Sequence, residues 1–157
     1  MTKQNITANE KREIVITRTF DAPRERVWQA WTDPKQIVKW WGPTGFTNTL
    51  YEMDVNPGGV WRHMMHGPDG TDYPNKVVYS EVVKPERLVY SLGDGVEGSS
   101  CQFHVTVTFE EVSKNKTHVT LRMLFKTEEE RHKVAEYAVQ GGNQTFARLA
   151  EHLVKTL

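Results

Sequence analysis

The feature that most constrains the fold is a series of strand-like segments between residues 46 and 125, each rich in β-branched and aromatic residues. These segments are residues 46–55, 59–67, 76–83, 86–92, 102–112 and 117–125. Short stretches of Gly, Pro, Asn and Asp, which favour turns, separate them. Strands that follow one another this closely predict an antiparallel meander.

A further strand and two short helices are predicted before the meander. Residues 13–20, EIVITRTF, have the composition of a strand. After them, Pro23 suits the first position of a helix, and apolar residues then recur at helical spacing, namely Val27, Trp28, Ala30 and Trp31. Asp33 predicts the cap of a second short helix, which Pro34 opens and Gly42-Pro43 ends.

The chain finishes with its longest predicted helix, residues 127–157. Thr127 and Glu130 have the spacing of a capping box at its N-terminus. One apolar stripe along it contains Val134, Ala138, Gly142, Thr145, Leu149 and Leu153, flanked by Phe146. Glycine inside a helix costs about 1 kcal/mol relative to alanine, so Gly141-Gly142 predicts a bend or a close approach to another element.

The order of elements predicts an α+β fold of about seven strands. A sheet with one apolar face must be covered, and only the C-terminal helix is long enough to cover it. We therefore expect a curved antiparallel sheet wrapped around that helix, with the two short helices closing one end. Residues 13–157 form a single domain in this interpretation, and residues 1–12 form a polar N-terminal arm. Pockets in such folds form where sheet and helix diverge.

Composition narrows the classes of function. The net charge is zero and the pI is near 7.0, which argues against nucleic-acid binding and against binding to anionic membranes. The single cysteine, Cys101, excludes an intramolecular disulfide. No apolar run approaches the roughly 20 residues of a membrane span, and the polar N-terminus does not have the apolar core of a signal peptide. We expect a cytoplasmic protein that does not enter a membrane.

Several motifs together resemble one known superfamily. They are the helical hairpin ITRTFDAPRERVWQAWTDPKQIVKWWGPTGF (16–46), the hairpin VNPGGVWRHMMHGPDG (55–70) and the turn KPERLVYSL (84–92). In this order, before a terminal helix, they resemble the START-like SRPBCC superfamily with its helix-grip fold. Within it the chain is most similar to the family named for the activator of the heat-shock-protein-90 ATPase. The resemblance implies the fold just described and a hydrophobic cavity.

Tryptophan is concentrated in the predicted helical hairpin, where Trp28, Trp31, Trp40 and Trp41 occur together. Most of these side chains are expected to pack the hairpin onto the sheet, because each can bury 150 Å² or more. Trp40 and Trp41 differ by about 100° on a helix, so one ring can face the core while the other faces a cavity. Trp41 is the first candidate for a ligand contact and Trp40 the second.

Strand alternation predicts which other residues face the helix. Val105 and Leu121 belong to two inward-facing rows, Phe103 to Phe109 and Val119 to Phe125. On residues 59–67, Trp61, His63 and Met65 are expected to point inward, with His63 as a hydrogen-bonded interior group. The full candidate ligand-binding set is Trp40, Trp41, Trp61, His63, Met65, Tyr79, Tyr90, Gly142 and Phe146.

No catalytic residue, metal or cofactor is predicted. His63 and His66 are three residues apart on a strand, which puts their side chains on opposite faces. No zinc-binding spacing is present, and no neighbour in sequence activates Cys101. Polar groups able to transfer protons are scattered over several strands: Glu52, Arg62, His63, Tyr79, Tyr90 and His104.

Three functions remain open. The first is a binding protein, monomeric or homodimeric, that holds a small hydrophobic or amphipathic ligand between sheet and helix. The second is a stress-related, co-chaperone-like domain whose partner is a chaperone, as the family resemblance implies. The third is a cyclase, dehydratase or hydrolase acting on an aromatic or polyketide-like substrate in the same cavity, as in some helix-grip relatives.

Overall fold

A computed structural model describes residues 11–93 and 103–155, and within these ranges seven strands form one antiparallel sheet. The strands are β1 Glu13–Phe20, β2 Thr47–Met53, β3 Val60–His66, β4 Asp72–Val83, β5 Arg87–Gly93, β6 Phe103–Ser113 and β7 Lys116–Leu124. The helices described are α1 Arg24–Thr32, α2 Pro34–Trp40 and α3 Glu128–Lys155. Most of the predicted polar arm, and Cys101, lie outside the described residues.

The predicted meander is confirmed. The strand order is β1-β7-β6-β5-β4-β3-β2, so β2 to β7 follow one another across the sheet and β1 pairs with β7. Register shifts interrupt the ladders between Leu50 and Glu52 and between Tyr79 and Glu81. Because a bulge bends its strand and increases the local twist, these irregularities help the sheet to curve towards α3.

The two short helices form as the sequence indicates. The Asp33 carboxylate accepts hydrogen bonds from the backbone N–H of Lys35 at 3.0 Å and from Gln36 Nε2 at 3.1 Å, and Pro34 is the first residue of α2. Pro23 is the residue before α1 rather than its first residue, with an extended ψ of 150°. The indole N–H of Trp40 donates to the Ala30 carbonyl at 3.0 Å, which ties α2 to α1.

Helix α3 is anchored mainly by its second half. At its start, the Thr127 hydroxyl accepts a hydrogen bond from the backbone N–H of Glu130 at 3.0 Å, as the capping box predicts. Its buried residues are Thr145, Phe146, Leu149, His152 and Leu153. The prediction that Val134 belongs to the buried stripe is wrong, because its side chain is 37% exposed. The first half of α3 contributes only partly buried residues, such as Ala135 and Ala138, to the packing against the core.

Gly142 marks the closest approach between α3 and the sheet. A Cβ atom at this position would overlap the Cδ1 methyl of Ile16 on β1. Gly142 therefore has a steric role, since any larger residue would have to displace the Ile16 side chain or move the helix away from β1. This agrees with the close approach expected from the sequence.

The core lies between the inner face of the sheet and the three described helices. Both predicted inward rows face it, with Val105, Val107 and Phe109 buried on β6 and Val119 on β7. Trp31 lies at its centre and makes edge-to-face contacts with other aromatic rings, namely Trp40, Trp41, Phe109 and Phe146. In the described part of the chain, no helix combines the length and the apolar character needed to cross a bilayer.

Candidate functional site

A cavity of about 260 Å³ lies between the middle of α3 and the inner face of the sheet. It is lined by Ile16, Trp41, Gly42, Pro43, Met65, Asn75, Tyr90, Leu92, Phe103, Val105, Leu121, Met123, Tyr137, Ala138, Gly141, Gly142, Thr145 and Phe146. Tyr137, whose side chain is 77% exposed, stands at its mouth. The cavity lies beside the contact between Gly142 and Ile16. The N-terminal end of α3 is tied to β1 by a hydrogen bond of 3.1 Å from Arg131 Nε to the Glu13 carbonyl.

The cavity wall is uncharged. None of the described residues that line it is Asp, Glu, Lys, Arg or His. Polar side chains are contributed by Asn75, Tyr90, Tyr137 and Thr145, and the Thr145 hydroxyl already donates to the Gly141 carbonyl at 2.8 Å. Such a wall gives an apolar molecule a favourable environment and offers no counter-ion to a charged one.

The tandem tryptophans divide between core and cavity. Trp40 is fully buried, whereas Trp41 is half-buried and lines the cavity. The sequence predicted this division from the angle of about 100° between successive residues on a helix. In the structure α2 ends at Trp40, and the extended backbone of Trp41, with φ −68° and ψ 135°, turns its ring towards the cavity instead. The Trp41 ring packs edge-to-face on Trp31, Trp40 and Trp61, with centroid distances of 6.3, 5.6 and 5.1 Å.

Arg148 on α3 holds the segment that carries Trp41. Its guanidinium donates to the carbonyls of Trp41 at 3.2 Å, Gly42 at 2.9 Å, Pro43 at 3.0 Å and Lys39 at 3.2 Å. These carbonyls lie in the last turn of α2 or directly after it, where carbonyls lack helical partners. From the other side, the Asn48 amide donates to the Trp41 carbonyl at 2.9 Å. The cavity wall at Trp41 is therefore fixed by side chains from α3 and β2.

The structure brings five of the nine predicted ligand-binding residues to the cavity wall, namely Trp41, Met65, Tyr90, Gly142 and Phe146. The other four, Trp40, Trp61, His63 and Tyr79, are buried but do not line it. Trp40 is turned away towards α1. Tyr79 and Trp61 lie further along the inner face of the sheet, beneath the helical hairpin.

His63 has an unusual environment for a polar residue. Its side chain is 2% exposed, and its ring stacks on Trp61 with a centroid distance of 4.2 Å. Neither ring nitrogen has a hydrogen-bond partner among the described residues, so the expectation of a hydrogen-bonded interior histidine is wrong. Burial lowers the pKa of His63 from 6.5 to about 4, which keeps the imidazole neutral near pH 7.

The buried tyrosines respond to the same environment. Burial raises the pKa values of Tyr79 and Tyr90 well above their usual range, and the nearby Tyr90 adds to the effect on Tyr79. Their rings pack edge-to-face at 5.8 Å. Both phenols therefore stay protonated at any physiological pH. This part of the protein interior, like the surroundings of His63, disfavours charged groups.

Comparison with known proteins agrees with this architecture. A protein-family model described as "Activator of Hsp90 ATPase homolog 1-like protein" matches residues 21–154. The chain belongs to this family. No match to a functionally curated protein reaches significance.

Solved structures of similar proteins come from several bacteria. A crystal structure of a Mycobacterium smegmatis protein shares 27% identity and a TM-score of 0.85, with 95% of each chain covered. A solution structure of an Arthrobacter aurescens protein shares 29% identity and a TM-score of 0.84, covering 93% of this chain and 88% of that one. A Nitrosomonas europaea protein, at 22% identity and a TM-score of 0.83 over 94% and 97% of the two chains, shows the same fold. The activator-like family fold thus extends over nearly the whole chain.

Sequence reasoning missed several residues that line the cavity or position its wall. Asn75 was placed outside the strand that begins at residue 76, whereas β4 begins at Asp72. Tyr137 lies off the apolar stripe of α3, and Arg148 was not distinguished from an ordinary exposed arginine. The inward alternation of β6 and β7 did contain a usable signal for Val105, Leu121 and Met123.

The two histidines of β3 do not share a site, as expected. His66 lies on the outer face, where its ring nitrogens contact Thr49 Oγ1 and Asp72 Oδ1, each at 2.7 Å. Within the described ranges, no group of three or more His, Cys, Asp or Glu side chains is arranged to hold a metal ion. His63 on the inner face of β3 and His66 on the outer face therefore cannot act on the same ligand.

Proposed function

We propose that this protein binds a small, uncharged and mainly apolar molecule in the cavity between α3 and the sheet. The observation that carries this proposal is the cavity, which has a volume of about 260 Å³ and no charged residue among the described residues that line it. Apolar cavities of about 150 Å³ already hold benzene, so a molecule of two fused aromatic rings suits this volume.

The position of the mouth supports the same function. Tyr137 and Ala138 border the cavity on α3, and Pro43 borders it on the turn after α2. The first half of α3 buries none of its described residues, so it can move away from the sheet at lower cost than the second half. A ligand can enter here without disturbing the core around Trp31.

Binding is tested with two probes of similar shape, 2-methylnaphthalene and 2-naphthoate, by titration against tryptophan fluorescence. We expect 2-methylnaphthalene to bind and to perturb the emission of Trp41, and 2-naphthoate to bind at least tenfold more weakly because its charge would lose hydration. Equal binding of both probes, or binding of neither, would contradict the proposal.

A cavity-filling variant assigns the binding to this site. Ala138→Trp places a large ring in the mouth and is expected to abolish binding of 2-methylnaphthalene. Ala147→Trp is the matched control, because Ala147 is an exposed residue of the same helix. If both variants bind like the wild type, the probe is held elsewhere on the protein.

A second candidate is a co-chaperone-like interaction, which the description of the matching family favours. It is tested by measuring the ATPase rate of an Hsp90 chaperone from the same source with and without this protein. An increase in rate supports the interaction, and an unchanged rate with no association in a pull-down excludes it. The expected cytoplasmic location and the choice between monomer and homodimer stay predictions.

Catalysis has less support. An acid–base mechanism in the cavity needs a titratable pair, yet His63 has no hydrogen-bond partner in the described part of the chain. The buried tyrosines are held protonated and so are poor bases. We therefore favour binding over turnover.

A further inference from the structure

His63 lies directly behind one end of the cavity. Three cavity-lining residues surround it: Met65 is two residues along the same face of β3, Asn75 pairs with His63 across the β3–β4 ladder, and the Trp41 ring is 6.4 Å away. Directly paired residues on neighbouring strands place their side chains on the same face. His63 and Asn75 therefore form a polar corner on an otherwise apolar inner surface.

This polar corner has unused hydrogen-bonding capacity. Both nitrogens of His63 and the indole nitrogen of Trp61 are buried without a partner among the residues described. The Asn75 side-chain nitrogen donates to the Tyr73 carbonyl at 3.0 Å, which leaves the amide oxygen as an acceptor. Buried polar groups are satisfied in the great majority of native proteins, and an exception calls for a functional explanation.

Met65 lines the cavity next to this polar corner. Its terminal methyl packs against Gly42, where a Cβ atom would lie 2.8 Å from it. Methionine has three rotatable side-chain bonds and repacks readily, so a change of the Met65 rotamer would bring a ligand in the cavity closer to His63. Trp41, whose backbone carbonyl accepts a hydrogen bond from Arg148, lies on the other side of His63.

We propose that the ligand carries one neutral hydroxyl group, phenolic or alcoholic, which is received by His63 and Asn75 while the apolar body fills the cavity. A neutral imidazole offers one donor and one acceptor, and a hydroxyl group has the complementary pair. The low pKa of His63 supports this arrangement, because it keeps the ring neutral over the physiological range. The inference rests on the proposed binding function and adds the polar group of the ligand to it.

The test compares 2-naphthol with 2-methylnaphthalene, in which a methyl group replaces the hydroxyl at nearly the same volume. His63→Phe keeps an aromatic ring on Trp61 but removes both nitrogens. We expect this variant to bind 2-naphthol about tenfold more weakly than the wild type, the equivalent of one hydrogen bond, and to bind 2-methylnaphthalene with unchanged affinity. Equal losses for both probes would overturn the assignment.

A second measurement does not depend on the folding of a variant. In the wild-type protein labelled with ¹⁵N-histidine, 2-naphthol is expected to shift the ring-nitrogen resonances of His63, while 2-methylnaphthalene leaves them nearly unchanged. His66, on the outer face, is the internal control. If both probes bind and neither shifts the His63 nitrogens, the hydroxyl site is wrong while the cavity function stands. If neither probe binds, the binding function itself fails.

Discussion

Arg148 donates a hydrogen bond to the carbonyl of Trp41 across 107 positions of sequence, and so couples the second half of α3 to the turn after α2. The same guanidinium also reaches the carbonyls of Lys39, Gly42 and Pro43. One side chain thus closes the end of α2 and positions the tryptophan that forms one side of the cavity. Arginine suits this place because its planar group carries several donors at fixed angles.

Replacement of Arg148 is expected to destabilise the protein. Arg148→Met keeps much of the aliphatic stem but leaves several carbonyls without their donor, and we expect a loss of about 2–3 kcal/mol in the free energy of unfolding. Arg148→Lys should fall between, because an ammonium group cannot reach all these carbonyls. Urea denaturation measures both. Lys133→Met, at an exposed position of the same helix, is the control, and a loss as small as that control's would refute the role of Arg148.

Gly142→Ala tests the close approach between α3 and β1. Alanine gains about 1 kcal/mol in helix propensity, but its methyl would overlap Ile16, and overpacking costs about 1–3 kcal/mol. We expect a net decrease in stability. In the Ile16→Val background, which removes the overlapping methyl, the same glycine substitution should become neutral or stabilising. A double-mutant cycle with no coupling between the two positions would contradict this interpretation.

The two adjacent tryptophans should differ in the effects of their removal. Trp40→Ala deletes a fully buried ring and its hydrogen bond to Ala30, so we expect a loss of about 3–5 kcal/mol. Trp41→Ala should cost less, about 1–2 kcal/mol, but should weaken binding of 2-methylnaphthalene. Thermal unfolding and probe titration on both variants separate the two roles. A full loss of stability with unchanged probe binding would make Trp41 a core residue only.

His63 predicts a specific dependence of stability on pH. Its pKa is 6.5 in the unfolded chain and about 4 in the folded protein, so the unfolded state binds more protons between these values. Stability should therefore decrease as the pH falls from 6.5 to 4, by about 3 kcal/mol in total for a difference of about 2.5 between the two pKa values. The side chains around His63, those of Trp41, Trp61, Met65 and Asn75, are not ionisable in this range.

The His63→Phe variant should lose most of this dependence, as measured by urea denaturation at several pH values. His152, whose pKa is lowered first by burial and then by nearby cations, contributes a dependence of the same sign in both proteins, so their difference isolates His63. His104→Phe, at an exposed position on β6, controls for the substitution itself. Identical pH profiles for wild type and His63→Phe would show that folding does not lower the pKa of His63.

The sequence predicted the architecture well, because its signals are local. Turn formers between strands, Asp33 before Pro34, and the alternation on β6 and β7 each act within a few residues. The glycine pair inside α3 predicted a bend or a close approach to another element, and the structure shows the close approach, between Gly142 and Ile16. The start of β4 was not predicted correctly, because Pro74 weakens the strand pattern there. Asn75 was therefore not assigned to the strand.

The cavity wall was predicted only in part, because it depends on contacts between distant segments. No local pattern distinguishes Arg148, which finds its carbonyl partners more than 100 positions away, from an exposed arginine. The prediction put Trp41 at the cavity on the basis of helical geometry. Trp41 does line the cavity, but α2 ends before it, so its extended backbone sets the direction of the ring. Among the described residues, the nitrogens of His63 have no partner because Trp41 and Trp61 pack around the ring, and periodicity cannot show such packing.

The central claim is that an uncharged apolar molecule occupies the cavity, and methyl NMR tests it most directly. With ¹³C-methyl methionine, Met65 and Met123 report on the cavity wall, while Met53 and Met64 lie outside it and act as controls in the same spectrum. Addition of 2-methylnaphthalene is predicted to shift the Met65 and Met123 resonances and to leave the other two in place. No shift at Met65 and Met123, or equal shifts at all four, would contradict the account.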